Sequence, residues 1–268
     1  MTDLSTEICG IPLSGPVLNG SGTFDALAAR RVFGDSLVEQ FPFDCYVSKT
    51  ITINPRPGNP PYRLWETPSG MINSIGLPGP GLDLFLERDL AQLAEFGVPL
   101  IVSVMADQVE DFEVLVDRVA ARDEVAGIEL NVSCPNVHSG LIVGEQPAET
   151  RNLMKALRPR TGKPLIVKLT PNVANPHEVA AGAEEGGADA VSMINTVKAA
   201  AIDPASNRTW LGAGAGGLSG PAVRPVALAQ VRAVSAEVGI PVIGMGGITD
   251  AESALEFILA GARVIAVG

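Results

Sequence analysis

The feature that most constrains the fold is the regular recurrence of short apolar runs rich in β-branched residues. Most of these runs are continuously apolar, which is typical of parallel strands covered on both faces by helices. There are eight of them, PVLNGS (16–21), CYVSKT (45–50), LIVSVM (100–105), GIELNV (127–132), LIVKLT (165–170), AVSMIN (190–195), PVIGMG (241–246) and RVIAVG (263–268).

Segments with apolar residues at helical spacing lie between the runs. They occupy residues 83–96, 109–121, 147–157, 176–185, 221–238 and 250–259. This alternation of strand and helix predicts an α/β fold, a single (β/α)₈ TIM barrel over residues 1–268 with no domain boundary. Residues 4–13 predict a hairpin that closes the bottom of the barrel.

The end of the chain departs from this pattern, because the last predicted strand stops at Gly268 and no helix follows it. We therefore expect the C-terminal helix of the barrel to be missing from this chain and the natural chain to be longer. Without that helix, Ile265, Val267 or their neighbours are expected to be partly exposed.

Two connections are long, at residues 51–82 and 196–220. They follow the second and sixth strands, and therefore leave the carboxyl ends of strands, where barrel active sites are built. Their content of Pro, Gly and Asn predicts ordered but irregular loops.

Composition excludes several classes of protein. An apolar fraction of 46% excludes a disordered chain, and a net charge of −11 without a basic stripe argues against nucleic-acid binding. Three scattered cysteines favour a reducing, cytoplasmic setting over a disulfide framework. We read neither a signal peptide nor a membrane-spanning run, and His138 and His177 lack the spacing of metal ligands.

The most informative motif is LNVSCPN at the end of the fourth predicted strand. Two carboxamides, Asn131 and Asn136, flank the thiol of Cys134. Carboxamides can hold a planar imide-like ring, and a thiol above that ring could act as a proton-transfer base or a nucleophile. A small buried thiol with a packing role remains the alternative.

Two lysines, Lys49 and Lys168, each end an apolar run. At the carboxyl end of a barrel strand, a lysine can supply a cation to a phosphate, a flavin ring or a developing anion. The alternative is a lysine whose aliphatic stem packs at the strand end while its ammonium reaches solvent.

Glycines follow the last two predicted strands, namely Gly246 and Gly247 after the seventh and Gly268 after the eighth. Loops in these positions of a barrel often bind phosphate through backbone amides. A tight strand-to-helix turn is the alternative. Residues 73–79, NSIGLPG, could likewise recognise a ligand or form a surface turn.

Together these stretches resemble the dihydroorotate dehydrogenases over nearly the whole chain. The cysteine in the LNVSCPN loop resembles class 1 of that family, and CPNVHSG with GAGGLSGPAVRPVAL most resembles class 1B. The matching stretches are NGSGTF (19–24), SKT (48–50), NSIGLPGPG (73–81), LNVSCPNV (130–137), VKLTPN (167–172), INT (194–196), GGLSGPA (216–222), GMGGI (244–248) and GARVIAVG (261–268).

The resemblance implies oxidation of (S)-dihydroorotate to orotate on bound FMN, in de novo pyrimidine (UMP) biosynthesis. Cys134 would take the proton from substrate C5, and a hydride from C6 would pass to FMN. Class 1B members work with a partner subunit that carries FAD and a [2Fe-2S] cluster and reduces NAD. They usually have a homodimeric catalytic core.

The resemblance also assigns binding residues. Ser103 is assigned to FMN at a position where many relatives carry Asn. The substrate residues are Lys49, Asn73, Asn131, Asn136, Asn195 and Thr196, with the backbone of Ile75, Gly76 and Leu77. The remaining FMN residues are Ser21, Lys49, Thr50, Asn131, Lys168, Ile194, Gly220, Gly246, Gly247 and Gly268.

Other functions remain open at this stage. A flavin barrel of the dihydropyrimidine dehydrogenase type would use the same carboxamides on another cyclic ureide. A barrel without catalytic activity could serve as a binding or scaffold subunit, and an aldolase-type phosphate barrel would need no flavin. Fumarate as electron acceptor would imply class 1A instead of the NAD-linked class.

Overall fold

The computed structural model describes residues 3–132 and 143–268. All eight predicted strand runs form strands. The strands are β1 (Thr6–Ile8), β2 (Ile11–Leu13), β3 (Val17–Asn19), β4 (Tyr46–Val47), β5 (Leu64–Thr67), β6 (Gly70–Asn73), β7 (Leu100–Val104), β8 (Gly127–Asn131), β9 (Leu165–Lys168), β10 (Ala190–Met193), β11 (Val197–Ala199), β12 (Ile202–Asp203), β13 (Arg208–Thr209), β14 (Gly216–Ser219), β15 (Val242–Met245) and β16 (Val264–Val267).

The helices that cover the strands are α1 (Ala26–Phe33), α2 (Ser36–Glu39), α3 (Leu82–Leu84), α4 (Leu90–Ala94), α5 (Val109–Ala120), α6 (Pro147–Leu157), α7 (Pro176–Glu185), α8 (Arg224–Glu237) and α9 (Ala251–Leu259). A π-helical turn at Phe85–Asp89 joins α3 to α4. Short 3₁₀ turns occupy Val143–Glu145, Arg158–Arg160 and Pro221–Val223. No helix in the described part of the chain is both long and apolar enough to cross a lipid bilayer.

Eight strands form one parallel sheet in the order β3, β16, β15, β10, β9, β8, β7, β4. A parallel bridge between Leu18 and Cys45 joins the two outer strands and closes the sheet into a barrel. The side chain of Asn19 strengthens this closure, since it donates to the carbonyl of Val47 and accepts from its amide, each at 2.8 Å. The predicted (β/α)₈ barrel is therefore confirmed.

The core has two parts. Inside the barrel, Ile8, Ile11 and Leu13 of the β1–β2 hairpin pack with residues such as Ile101 and Ile166 of the strands. The predicted hairpin is thus confirmed, and it fills the interior with apolar side chains. A second cluster lies between the strands and the surrounding helices.

The expected exposure of the last strand is only partly observed. Ile265 is buried in the outer cluster, whereas Val267 is half-buried. Larger exposed apolar side chains lie instead on neighbouring helices, at Val32 and Phe33 of α1 and at Leu259 of α9.

The two long connections are more regular than predicted, because they pair with each other. Strands β11, β14, β6 and β5 form a four-stranded antiparallel sheet, which we call the connection sheet. Trp65 and Trp210 stack with ring centroids 4.4 Å apart. A Cβ at Gly70 would overlap the carbonyl of Ser219, so glycine is needed for the close approach of these strands.

Candidate active site

A chain of hydroxyl and amide groups crosses the carboxyl ends of four barrel strands. The hydroxyl of Ser21 lies 3.2 Å from that of Thr50, which lies 3.0 Å from that of Ser103. The amide of Asn131 donates to the Thr50 hydroxyl at 3.4 Å. Four predicted cofactor residues are therefore in contact, and the polar groups of three of them are buried.

Ser48, which sequence reasoning missed, fixes this chain to the backbone. Its carbonyl accepts from the Ser21 hydroxyl at 2.8 Å, and its own hydroxyl accepts from the Ser103 amide at 3.1 Å. The same hydroxyl lies 3.0 Å from the carbonyl of Lys49. The backbone that precedes Lys49 is thus held by two neighbouring strands.

The side chain of Lys49 extends from the end of β4 and is exposed. Partial desolvation lowers its pKa; the negative charge of Asp25 opposes this shift, and the positive charge of Arg63 adds to it. Neither Asp25 nor Arg63 was predicted as a site residue. Both change how readily Lys49 stays protonated beside an anionic ligand.

Lys168 ends β9 and is only 6% exposed. In the sheet it lies between Asn131 of β8 and Ser192 of β10. Among the described residues, no carboxylate oxygen lies within 4.0 Å of its ammonium. A buried cation without a direct anionic partner is suited to hold an anionic or electron-rich ligand.

Asn195 and Thr196 follow β10 and are fixed by their own backbone. The Thr196 amide donates to the Asn195 side-chain oxygen at 2.9 Å, and the Asn195 amide donates to the carbonyl of Leu169 at 3.0 Å. Asn172 donates to the Thr196 carbonyl at 3.1 Å and accepts from the Lys198 amide at 2.8 Å. The geometry of this predicted substrate segment is therefore set by the loop after β9.

The predicted phosphate-binding glycines lie close together. Gly246 and Gly247, after β15, have φ values of +125° and +76°, and Gly220 has a φ of +95°. A Cβ on Gly247 would lie 2.7 Å from the carbonyl of Gly220, and one on Gly246 would lie 3.1 Å from the side chain of Ile194. Side chains at these positions would overlap neighbouring protein atoms, so glycines are needed for the loops to pack this closely into what we call the glycine cradle. Backbone amides of such glycine loops can approach a phosphate.

Gly268 lies next to the loop that follows β3. The amide of Gly20 donates to the carbonyl of Val267 at 2.7 Å, and a Cβ on Gly268 would lie 3.2 Å from the side chain of Thr23. The end of β16 is therefore adjacent to the loop that carries Ser21. This position is consistent with a ligand that spans the ends of β3, β15 and β16.

The predicted substrate residues of the first long connection lie in two places, the connection sheet and the turn that follows it. Asn73 ends β6 and donates to the carbonyl of Gly217 at 3.2 Å, within the connection sheet. The turn of Ile75, Gly76 and Leu77 packs on Asn59, whose amide donates to the Ile75 carbonyl at 3.0 Å. No hydrogen bond among the described residues joins this turn to a barrel strand.

Cys134 and Asn136 lie outside the described residues, so their predicted roles stay predictions. Burial raises the pKa of the thiols of Cys9 and Cys45 to about 12 each. Cys9 also donates to the carbonyl of Asp189 at 3.2 Å. Both thiols are therefore packed and neutral.

A buried carboxylate was missed altogether. Glu129 of β8 is 2% exposed, and one of its oxygens accepts from the hydroxyl of Ser192 at 2.8 Å. The signal was present in the run GIELNV, where a single acidic residue interrupts an apolar strand. Such a residue is expected to have a specific partner inside the barrel.

Known proteins resemble this chain over nearly its whole length. The family model described as dihydroorotate dehydrogenase matches residues 3–268. The catalytic subunit of dihydroorotate dehydrogenase B (NAD⁺) from Desulforudis audaxviator is 45% identical over 268 residues, covering 98% of this chain and 85% of that protein. The corresponding subunit from Thermoanaerobacter pseudethanolicus is 42% identical over 267 residues, covering 99% of this chain and 87% of that protein.

A third relative of the same name, from Geotalea uraniireducens, is 43% identical over 267 residues, covering 99% of this chain and 86% of that protein. The similarity therefore extends through every barrel strand and both long connections. Since the strand-end lysines, the hydroxyl chain and the glycine cradle all lie within this matched length, the chain belongs to the dihydroorotate dehydrogenase family.

Proposed function

We propose that this chain oxidises (S)-dihydroorotate to orotate with bound FMN, as the catalytic subunit of an NAD-linked enzyme of de novo pyrimidine biosynthesis. The observation that carries the proposal is Lys168, a buried ammonium at a strand end with no direct anionic partner among the described residues. Family membership identifies the chain as an oxidoreductase and supports the choice of substrate. We also propose that residues 1–268 act as one barrel domain.

The residues present fit FMN. Lys168 and the hydroxyl chain of Ser21, Thr50 and Ser103 would lie against the flavin ring, and the cradle of Gly220, Gly246 and Gly247 would hold the phosphate. When bound, FMN supplies the hydride acceptor. Asn131, Ile194 and Gly268 complete the set of proposed cofactor residues.

The substrate would be held by positive charge and by amides. Lys49 would bind the carboxylate of dihydroorotate, while carboxamides would pair with the imide edges of its ring. The residues proposed for this role are Asn73, Asn131, Asn136, Asn195 and Thr196, with the backbone of Ile75, Gly76 and Leu77.

In the proposed reaction, Cys134 as its thiolate accepts the proton that leaves C5 of the substrate. The C6 hydride departs with its electron pair, so a C5–C6 double bond forms and the electrons balance. The protein's tasks are then to position C5 beneath the thiolate and to keep the flavin face free of water.

Electrons would leave through a partner subunit that carries FAD and a [2Fe-2S] cluster, with NAD as final acceptor and a homodimer of this chain as the core. Relatives named as catalytic subunits support the existence of a partner. The proposal keeps the cytoplasmic location predicted from the cysteine content. It requires that the isolated chain reduce an artificial dye but not NAD, and that NAD reduction appear only when the partner is added.

The decisive experiment is a visible absorption spectrum of the purified chain, before and after anaerobic addition of dihydroorotate. A flavin band that bleaches supports cofactor and substrate together. A band that bleaches with dihydrouracil but not with dihydroorotate would transfer the proposal to a dihydropyrimidine-type substrate. Protein without any flavin band after reconstitution with FMN would overturn the proposal and favour a barrel without catalytic activity.

A further inference from the structure

We propose that Glu129 is a positioning residue whose buried carboxylate is the counter-charge of Lys168 and thereby adjusts the electrostatic potential beneath the flavin. The charge pairing concerns this chain alone. The effect on the flavin rests on the proposed function, so the two parts are tested separately.

Burial gives the first argument. Among residues 3–132 and 143–268, the buried residues that carry a formal charge are Glu129 and Lys168, at 2% and 6% exposure. A single buried charge is strongly unfavourable, whereas two opposite charges in one interior compensate each other. The barrel interior therefore holds one acid and one base.

The register of the strands gives the second argument. Glu129 pairs with Ile166 and Asn131 pairs with Lys168 across β8 and β9. Ile166 packs inside the barrel, and residues two apart on a strand share a face, so Glu129 and Lys168 both point inward. The strand spacing and the rise per residue place their Cα atoms about 8 Å apart, within reach of two long side chains.

The hydrogen bond to Ser192 gives the third argument. Ser192 belongs to β10 and pairs with Lys168, so β9 lies between Ser192 and Glu129. The 2.8 Å bond from the Ser192 hydroxyl to the Glu129 carboxylate therefore spans the inner face of β9, next to Lys168. Ser192 thus holds the carboxylate against the strand that carries the lysine.

The second carboxylate oxygen gives the fourth argument. Glu129 Oε1 is buried and has no hydrogen-bond partner among the described residues, which is unusual for a buried carboxylate. A positive charge nearby explains why the barrel interior tolerates this unpartnered oxygen. Because the ammonium of Lys168 is more than 4.0 Å away, the carboxylate acts through space and leaves the lysine free to contact a ligand.

A double-mutant cycle in urea tests the pair, on chain without added cofactor. The variants are Glu129→Gln, Lys168→Met and the double variant. We expect Lys168→Met to raise the unfolding equilibrium constant at least about tenfold more in the wild-type background than in the Glu129→Gln background. Additive effects would show that the two charges do not interact.

Glu237→Gln is the matched control, since Glu237 is exposed at the end of α8 and its substitution changes the net charge equally. Its effect should be additive with that of Lys168→Met. If Lys168→Met does not fold, Ser192→Ala provides the second route. Ser192→Ala removes the hydroxyl that holds the Glu129 carboxylate beside Lys168. The energetic coupling between Glu129→Gln and Lys168→Arg should therefore be smaller in the Ser192→Ala background than in the wild type. Unchanged coupling would overturn the proposal.

The flavin potential provides a measurement that packing alone would not move. With the carboxylate neutralised, Lys168 should stabilise negative charge on the reduced flavin more strongly, so the midpoint potential of Glu129→Gln should shift to a more positive value. Glu237→Gln should leave it unchanged, and an unshifted or more negative potential in Glu129→Gln contradicts the inference. If the wild-type chain does not bind FMN, the proposed function fails, while the urea cycle still decides whether the charge pair exists.

Discussion

At the scale of single residues, burial makes the thiols of Cys9 and Cys45 unreactive. Burial raises the pKa of the thiols of Cys9 and Cys45 to about 12, so both thiols are protonated at neutral pH. Neither can serve as a base at neutral pH. This supports Cys134 as the proton acceptor of the proposed reaction.

Replacement of Cys134 by Ser should separate the chemistry from cofactor binding. We expect the variant to keep its flavin, because no proposed FMN contact is removed. Reduction by dihydroorotate should slow by about 10² or more, since a hydroxyl is a poor base and general base catalysis typically contributes 10²–10⁴. Stopped-flow absorbance measures the rate. Bleaching at the wild-type rate would remove Cys134 from the mechanism.

The lowered pKa of Lys49 predicts a pH dependence. Desolvation reduces this pKa below the ordinary value of 10.5, so the ammonium loses its proton, and the substrate carboxylate its cation, at a lower pH than usual. KM for dihydroorotate should therefore begin to rise below pH 10.5, with a smaller change in kcat.

The control is Lys49→Arg, because a guanidinium stays protonated throughout this range. Its KM should be flat with pH, even if its absolute value is higher. Steady-state kinetics from neutral pH to about pH 10 compare the two profiles. Identical profiles would mean that another group controls substrate affinity.

The resemblance to the dihydroorotate dehydrogenases assigned Ser21, Thr50 and Asn131 to one cofactor, and the structure brings these three residues together. Ser48 was missed because its hydroxyl contacts backbone groups, namely the carbonyl of Lys49 and the amide of Ser103 on the adjacent strand. Which backbone group a serine reaches depends on strand register, and a continuously apolar run does not specify register.

At the scale of elements, the barrel was predictable and the connection sheet was not. Each barrel strand is a compact run of branched apolar residues, so its position is local information. Strand β14 reads GGLS and β11 reads VKA, which carry little strand preference of their own. β14 pairs with β6, a segment more than a hundred residues away, and β11 joins the sheet only by pairing with β14.

Substitution of Gly217 by Ala tests how closely this sheet controls the site. A Cβ at Gly217 would overlap the hydroxyl of Thr196, so Thr196 and Asn195 would have to move. Misplacement of a substrate residue by about 1 Å can lower the reaction rate about 10²-fold, and we expect kcat/KM to fall by about that factor. Gly162→Ala is the control, because a Cβ there meets open space. Unchanged kcat/KM in Gly217→Ala would show that the connection sheet does not control substrate binding.

At the scale of the whole molecule, the barrel depends on how β3 meets β4. A single bridge at Leu18 and Cys45 joins these strands, and Asn19 adds two side-chain bonds to the backbone of Val47. Asn19 is fully buried, so removal of its carboxamide leaves two buried backbone groups without partners.

We therefore expect Asn19→Ala to lower the free energy of unfolding by about 2–5 kcal/mol. Urea denaturation followed by circular dichroism measures this change. Asn152→Ala, at an exposed position of α6, should have little effect or stabilise the helix slightly. Equal stability of the two variants would show that Asn19 is dispensable for closure.

The connection sheet also affects how the protein folds while it is synthesised on the ribosome. The β5–β6 hairpin ends at Asn73, whereas β11 begins at Val197, so its partner strands are made much later. At about 5–20 residues per second, the hairpin waits roughly 6–25 s with Trp65 and Met71 lacking their final neighbours. During that interval, residues 64–73 are a segment that a nascent-chain chaperone could protect. Synonymous codons between β6 and β11 would lengthen or shorten the exposure.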